Sequence, residues 1–392
     1  MKRLLRLLFT ASLVGHGGIV GAQVTGVVFD DRNTNGRRDA GEPGLGRIVI
    51  SNQHGVVTTD SAGRFDLGSA GTGVVFVSVP DGFRATTRFW QRPGAEPLAF
   101  GLTPTASAPG ITFIHASDTH IQASSVPRVD RLRAIADSVR PAFVLITGDL
   151  TRDALRVGEP EARGYYELYA RETARMSGPV WSVPGNHELF GIERHQSLVS
   201  QTHPLYGRGM YRHYLGPDYY SFNAGGVHFV GLNTADHEDL WYYGHVDSTQ
   251  LRWLERDLAQ VPGNVPIVTF NHIPFASAKM ALDGYTDEPP APTTIRVRGK
   301  DQYRHVVSNL DEVLKVIGNR PFPLALGGHL HTRERIEFGT LGSAPTRFEQ
   351  TAAVVGPSGP PWLAMASGVT VYTIRNRQIS EGTFIKLDAP RR

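Results

Sequence analysis

Apolar residues are unevenly spread along this chain, and five short runs of them each stop at a cluster of Asp, Asn or His. Ile111-Thr112-Phe113-Ile114 leads to Asp118-Thr119-His120, and Phe143-Val144-Leu145-Ile146 leads to Gly148-Asp149. Val180-Trp181-Ser182-Val183 leads to Gly185-Asn186-His187-Glu188, and Ile267-Val268-Thr269-Phe270 to Asn271-His272. Pro323-Leu324-Ala325-Leu326 leads to Gly328-His329-Leu330-His331. Short apolar runs bounded by Gly, Pro and polar positions are the pattern of strands buried on both faces. In open α/β sheets, reactive groups collect just outside the carboxyl ends of such strands. The pattern therefore predicts one crevice into which all five clusters open.

Elsewhere the periodicity changes. Residues 127–139 place Val129, Leu132, Ile135, Ala136 and Val139 on one helical stripe. Residues 161–176, 247–261 and 306–317 are predicted helical as well, with Asp247 or Ser248 as the N-cap of the third segment. Residues 219–233 alternate like a hairpin that turns at Gly225-Gly226. Strand and helix alternate through the middle, and short β segments follow His331, so residues 111–392 are predicted to form a layered α/β domain. Ahead of it, residues 23–103 carry short strand-like runs at 24–29, 48–51, 64–67 and 74–79, separated by Gly, Asp and Asn. That is the pattern of a small all-β domain. Residues 104–110 read as a linker, and no internal repeat is present.

The first 22 residues stand apart. A basic start (Lys2, Arg3, Arg6), an apolar stretch over 7–14 and the small-residue exit Val20-Gly21-Ala22 predict a secretory signal peptide cleaved before Gln23. Arg6, His16 and Gly17-Gly18 keep the apolar run below membrane-spanning length. The mature chain is thus expected to be secreted or periplasmic, without a transmembrane anchor. This segment also changes the charge picture. Taking its three basic residues from the 40 Lys and Arg leaves 37, against 37 Asp and Glu, so the formal net charge of +3 is the leader's. A near-neutral mature chain has no nucleic-acid-binding footprint. Its length suits two domains, its composition is that of an ordinary globular protein, and nothing in it specifies an oligomeric state. With no cysteine, any metal must sit on nitrogen and oxygen ligands.

Two divalent cations about 3.5–4 Å apart can bind a phosphate, polarise its P–O bonds and supply hydroxide at neutral pH. Such a site needs a carboxylate shared by both ions and further N and O donors, and it benefits from a proton donor for the leaving alkoxide. Taken in order, Asp118-x-His120, Gly148-Asp149, Gly185-Asn186-His187-Glu188, His272 and Gly328-His329-Leu330-His331 resemble the calcineurin-like metallophosphoesterase family, over roughly residues 111–388. The resemblance implies an α/β fold, a four-layer αββα sandwich, here preceded by the small all-β domain. It implies two divalent or trivalent ions (Mn, Fe or Zn), one held by Asp118, His120 and His331 and the other by Asn186, His272 and His329, with Asp149 as the bridge. It further implies hydrolysis of a small phosphomono- or phosphodiester by in-line attack of a metal-bound hydroxide, with His187 assisting the leaving group. No Tyr follows Gly148-Asp149, as the iron site of a purple acid phosphatase would require. An amidohydrolase would open its ligand series on His-x-His, whereas this one opens on Asp118-x-His120. A non-catalytic envelope protein using the β domain would show degenerate ligand positions, and none is seen.

Other residues have blander expectations. His115, His213 and His228 are read as hydrogen-bonding residues, Glu188 as a turn cap, and Tyr211, Tyr214, Tyr219 and Tyr220 as core. Arg194, Arg208 and Arg212 are expected to be solvated at the surface rather than gripping a second phosphate. The loops 189–211 and 279–300 are expected to wall the substrate pocket. In the N-terminal domain, Asp31, Asn33, Asn35, Asp39 and Glu42 fall at positions 1, 3, 5, 9 and 12 of a twelve-residue calcium loop with Gly36 at position 6. Either structural calcium or a polar Asx turn fits that spacing. Residues 58–65 resemble bacterial surface β-sandwich repeats of the carboxypeptidase-regulatory or adhesin B type.

Overall fold

The computed structural model describes residues 23–69, 71–106, 109–288, 291–339, 344–357 and 365–387. The expected leader over residues 1–22 lies outside them. Two six-stranded sheets form the centre. In the first, Val180–Val183, Phe143–Thr147 and Ile111–Ala116 run parallel, and Gly368–Arg375 joins antiparallel beside Ile111–Ala116, followed by Gln378–Ile379. Thr383–Lys386 also pairs with Gly368–Arg375. In the second, Val227–Leu232, Ile267–Asn271, Leu324–Gly327 and Thr346–Gln350 are parallel. Tyr220–Ala224 and Glu334–Phe338 close its edges antiparallel.

Why both faces of the site strands are apolar is visible in how their residues divide. Phe113, Phe143 and Leu145 enter the core between the sheets, while Ile114, Val144 and Ile146 enter a second core under helices Val126–Val139 and Glu159–Thr173. Successive strand side chains point to opposite faces, so each run is apolar at most positions, with Thr112, Ser182 and Thr269 the polar exceptions. Between the sheets the layer is aromatic. Phe113 stacks on Phe143 and Tyr372 and meets Phe229 edge-on, and Trp181 stacks on Phe222 at 4.2 Å. Helices Ser248–Leu258 and Leu310–Ile317 cover the second sheet through Trp253, Leu254, Leu258, Val313 and Ile317. The result is the expected α/β sandwich, helices outside and two sheets within.

The helices differ from expectation at both ends, the second and third stopping at Thr173 and Leu258 rather than at 176 and 261. Pro160 lets the second helix begin at Glu159, a position where proline's missing N–H costs nothing. Asp247 caps the third, accepting from the N–H of Thr249 and Gln250. The fourth starts at Leu310 rather than 306: Val307 is drawn into a bridge with Gly244, and Ser308-Asn309 form a turn before the helix. Tyr220–Ala224 and Val227–Leu232 form the predicted hairpin.

Residues 25–104 are all β. One four-stranded sheet orders Arg64–Asp66, Thr25–Asp30, Leu98–Pro104 and Phe83–Ala85; the other orders Val56–Thr58, Val49–Ser51, Val75–Val77 and Trp90–Gln91. This module covers the end of the sandwich where Val180–Val183 and Tyr220–Ala224 are edge strands. Phe76 lies edge-on to Tyr220 and Trp253, and Phe89 sits 4.7 Å from Trp181. Gln53 donates to Asp218 Oδ1 and Tyr219 O, and Asn223 N–H to Val79 O. Among the described residues, no helix is long and apolar enough to cross a membrane.

Candidate metal centre

Each ligand candidate sits within four residues of the carboxyl end of a sheet strand: Asp118 and His120 after Ala116, Asp149 after Thr147, Asn186 after Val183, His272 after Asn271, His329 and His331 after Gly327. Two groups of ligand atoms converge there, Asp118, His120, Asp149 and His331 in one, and Asp149, His272 and His329 in the other, all within 4.8 Å of one another in each group. Asp149 belongs to both, and its two oxygens divide between them. Oδ1 lies 3.1 Å from His272 Nε2, and Oδ2 lies 3.6 Å from His120 Nε2. His331 Nε2 is 3.1 Å from Asp118 Oδ1 and 3.2 Å from His120 Nε2. His329 Nδ1 is 3.2 Å from His272 Nε2.

The backbone is bent to achieve this. Asp118, His120, Asp149, His329 and His331 have φ of 56°, 37°, 47°, 76° and 53°, the left-handed region that L-residues other than Asn, Asp and His rarely visit. Two motif glycines are required by close approach. A Cβ on Gly148, itself at φ 79°, would stand 2.5 Å from the His272 ring, and one on Gly185 would stand 2.3 Å from Asp149 Oδ1.

Electrostatics follow from burial and mutual proximity. Burial by itself would raise the Asp149 carboxyl, but His272 and His187 outweigh it and hold it well below the usual range. Burial would lower His272, and Asp149 overturns that, pushing it up to about 9. Burial pushes His120 down to about 4, and burial together with His272 and His305 drives His329 well below its ordinary value. The Asn186 Oδ1 atom is buried and has no hydrogen-bond partner, which is costly for an acceptor unless something else occupies its lone pairs. An N/O set with an orphaned buried carbonyl and a carboxylate facing two ways fits a pair of divalent cations.

His187 stands at the rim rather than in the cage. Its Nδ1–H donates to Arg152 O at 2.7 Å, and its Nε2 is 3.8 Å from Asp149 Oδ2. Its ring meets His120 edge-on at 4.6 Å. Glu188 is buried and does cap: it accepts from Gly185 N–H, Thr151 N–H and Thr151 Oγ1, tying two ligand loops together. Burial, then Asp149, raise its carboxyl to about 7.

The remaining candidates are elsewhere. His115 bonds Thr147 Oγ1, and His228 bonds Asn223 and Asp257. Tyr211, Tyr219 and Tyr220 are buried, and Tyr214 stacks on Tyr166. Two of the three arginines depart from expectation, and Arg194 stays at the surface. Arg208 pairs with Asp236 and Asp247, Arg212 forks onto buried Asp218, and Arg194 pairs with Asp239. The Arg208 and Arg212 contacts are structural ion pairs, because a guanidinium fork matches a carboxylate that would otherwise be desolvated alone, whereas the Arg194 partner is exposed. In the twelve-residue loop, Asp39 accepts from Asn33 and Asn35, Asp31 from the N–H of Asn35 and Gly36, and Glu42 from the N–H of Arg32 and Asp39. Its carboxylates are thus closed on the loop itself. A cavity of about 400 Å³ opens beside the cage, lined among others by Lys279, Met280, Tyr285, Thr286 and His305. A cavity of about 750 Å³ between the β module and the sandwich touches none of the seven ligand candidates.

One neighbour of the cage carried no sequence signal. His305 Nδ1 is 2.7 Å from His329 Nε2, yet the residue stands alone in a loop, outside any motif.

A model of the calcineurin-like phosphoesterase family matches residues 111–333. A 3′,5′-cyclic-nucleotide phosphodiesterase from Nostoc sp. is 24% identical over 257 residues, which is 61% of this chain and 79% of that protein. Among solved structures, a dimetal phosphatase from Danio rerio is 16% identical with a TM-score of 0.43, covering 72% of this chain and 100% of that one. GAP50, the anchor in the inner membrane complex of Plasmodium, is 14% identical with a TM-score of 0.43, covering 71% and 85%.

Proposed function

Because this chain belongs to the calcineurin-like phosphoesterase family, we propose that its crevice hydrolyses small phosphodiesters, 3′,5′-cyclic nucleotides first among them. The observation that carries the proposal is Asp149, whose two oxygens face two separate ligand groups. The name of the Nostoc relative supports the substrate class. Asp118, His120 and His331 would hold one ion, and Asn186, His272 and His329 the other. Bound there, such ions supply Lewis-acid charge for the phosphoryl oxygens and activate water.

This chain's own residues supply the rest. Asp149 sets the spacing of the two ligand groups. Glu188 locks the Asn186 turn to the Asp149 loop through Thr151. With Nδ1–H held by Arg152 O, His187 presents Nε2 to the crevice, where a proton on that atom can pass to the departing alkoxide. Its ring lies 3.8 Å from Asp149 Oδ2 through Nε2 and 3.9 Å from Asp153 Oδ1 through Nδ1.

The test is metal analysis of the purified protein, then turnover of 3′,5′-cAMP, 3′,5′-cGMP, bis(p-nitrophenyl) phosphate and p-nitrophenyl phosphate. Two ions per chain with diester turnover is expected. A fully loaded protein inert toward every diester would sink the proposal. We also propose that residues 1–22 direct export and are removed before Gln23, which N-terminal sequencing of the exported protein checks. The β module is proposed to be a B-type or carboxypeptidase-regulatory-like repeat. Structural calcium in its loop is a separate proposal, with a metal-free Asx turn as the alternative, and it fails unless calcium raises Tm of the full chain.

A further inference from the structure

The histidines of the second ligand group are oriented from behind. His272 donates its Nδ1–H to Thr147 O at 2.7 Å, which leaves Nε2 to face Asp149. His329 faces the crevice through the other nitrogen, Nδ1. A neutral imidazole carries one proton, so the bond made at one ring nitrogen decides whether the other offers a lone pair. For His329 that bond is to His305, with Nδ1 of His305 2.7 Å from Nε2 of His329 and the rings 25° from parallel.

His305 is itself held in place by its neighbours. The guanidinium of Arg304 lies 4.7 Å from the Trp241 ring and 4.4 Å from the Tyr242 ring, and donates to Tyr242 O and Pro292 O. Tyr242 in turn meets His305 and His329 edge-on, at 6.1 and 5.8 Å. The position of His305 is therefore set by a clamped neighbour in the chain and by a packed ring.

We propose that His305 is the positioning residue of the second ion site: its Nδ1 accepts the Nε2–H of His329 and fixes the tautomer whose Nδ1 lone pair faces the cation. The inference rests on the two-ion reading above. Metal-binding histidines ordinarily give their other N–H to a carboxylate, a carbonyl or water; His272 follows that habit, and for His329 a second imidazole takes the acceptor's place.

The test is calorimetric titration of Mn²⁺ or Zn²⁺ into the full chain after stripping with chelator. His305→Ala is expected to weaken one of two sites by about 10–100-fold and leave the other unchanged. In His305→Asn the Oδ1 atom is as many bonds from Cα as Nδ1, so it accepts in the same place and most of the affinity returns. Unchanged affinity in the alanine variant, or equal weakening in both variants, overturns the proposal. Should either variant not fold, ¹⁵N shifts of His329 in the stripped wild type decide: a proton on Nε2 supports the assignment and one on Nδ1 overturns it. These readouts do not depend on which ester is cleaved, whereas a wild type that binds no ion defeats both readings.

Discussion

Five ligand candidates hang from left-handed backbone, and for a non-glycine residue such a conformation costs on the order of 1–3 kcal/mol. Asp, Asn and His are the side chains that tolerate it best, so the residue types that can bind the ions are also those the turns can accommodate. The same closeness makes Gly185 irreplaceable. Its pro-Cβ position lies 2.3 Å from Asp149 Oδ1 and 2.4 Å from Asp149 N. Gly185→Ala should keep the fold and lower phosphodiesterase turnover by about 10²-fold, the cost of a misplacement near 1 Å. Full activity in that variant would show that the shared carboxylate does not need its present position. His187→Ala should retain both ions, because His187 Nε2 is outside the cage, while turnover drops about 10²–10⁴-fold as for a lost general acid. Equal losses for p-nitrophenolate and for a poorer leaving group would contradict the acid role. Asp149→Asn should lose ions and activity together, read by metal content after dialysis.

At the scale of elements, the parallel strands deliver the chemistry and the ion pairs beside them fix the geometry of the flanking loops. Asp218 is fully buried and receives Gln53 from the β module, Asn233 from the second sheet's carboxyl end and both arms of Arg212. Burial would raise its carboxyl, but Arg212 and Arg208 bring it down to about 2. A depressed carboxylate stabilises the fold above its unfolded value, near 4, and the contribution disappears as pH falls toward 2. A shift of this size is worth about 2 kcal/mol. The urea midpoint of the wild type should therefore fall more steeply from pH 4 to pH 2 than that of Asp218→Asn; parallel curves would rule the pairing out as a source of acid stability. The loop arginines were not legible as structural because a charged residue between two elements looks the same in sequence whether its partner is water or a buried carboxylate. The fourth helix shows the same gap. Residues 306–309 are expected inside that helix, but Val307 bridges to Gly244 and Ser308-Asn309 form a turn ahead of it.

Across the whole molecule the β module and the sandwich share one apolar core, running from Ile50, Phe76 and Trp90 to Trp181, Tyr220 and Trp253. Two domains joined in this way should melt as one cooperative unit. Calorimetry should give a single transition; two well-separated transitions would mean that the interface contributes little. Binding to the native state alone stabilises by roughly 3 kcal/mol at about a hundred times Kd. Chelation of the loaded protein should therefore lower that single Tm by several degrees, and restoring the ions should bring it back.

From the residues alone came a layered α/β domain with ligand candidates at five strand ends, and the resemblance that those motifs carry implied the sandwich and the metal-dependent phosphoester hydrolase family that matches residues 111–333. The strand ends are written locally: a doubly buried strand is apolar at most positions, and the turn after it draws on Gly, Asp, Asn and His. The tertiary structure alone decided which oxygen of Asp149 faces which histidines, that Arg208 and Arg212 are bound to carboxylates, that the module is fused to the sandwich edge, and that His305 backs His329. Each of these depends on side chains far apart in the chain meeting at hydrogen-bond distance. No periodicity or motif records such meetings, because only the packed fold sets distances between them.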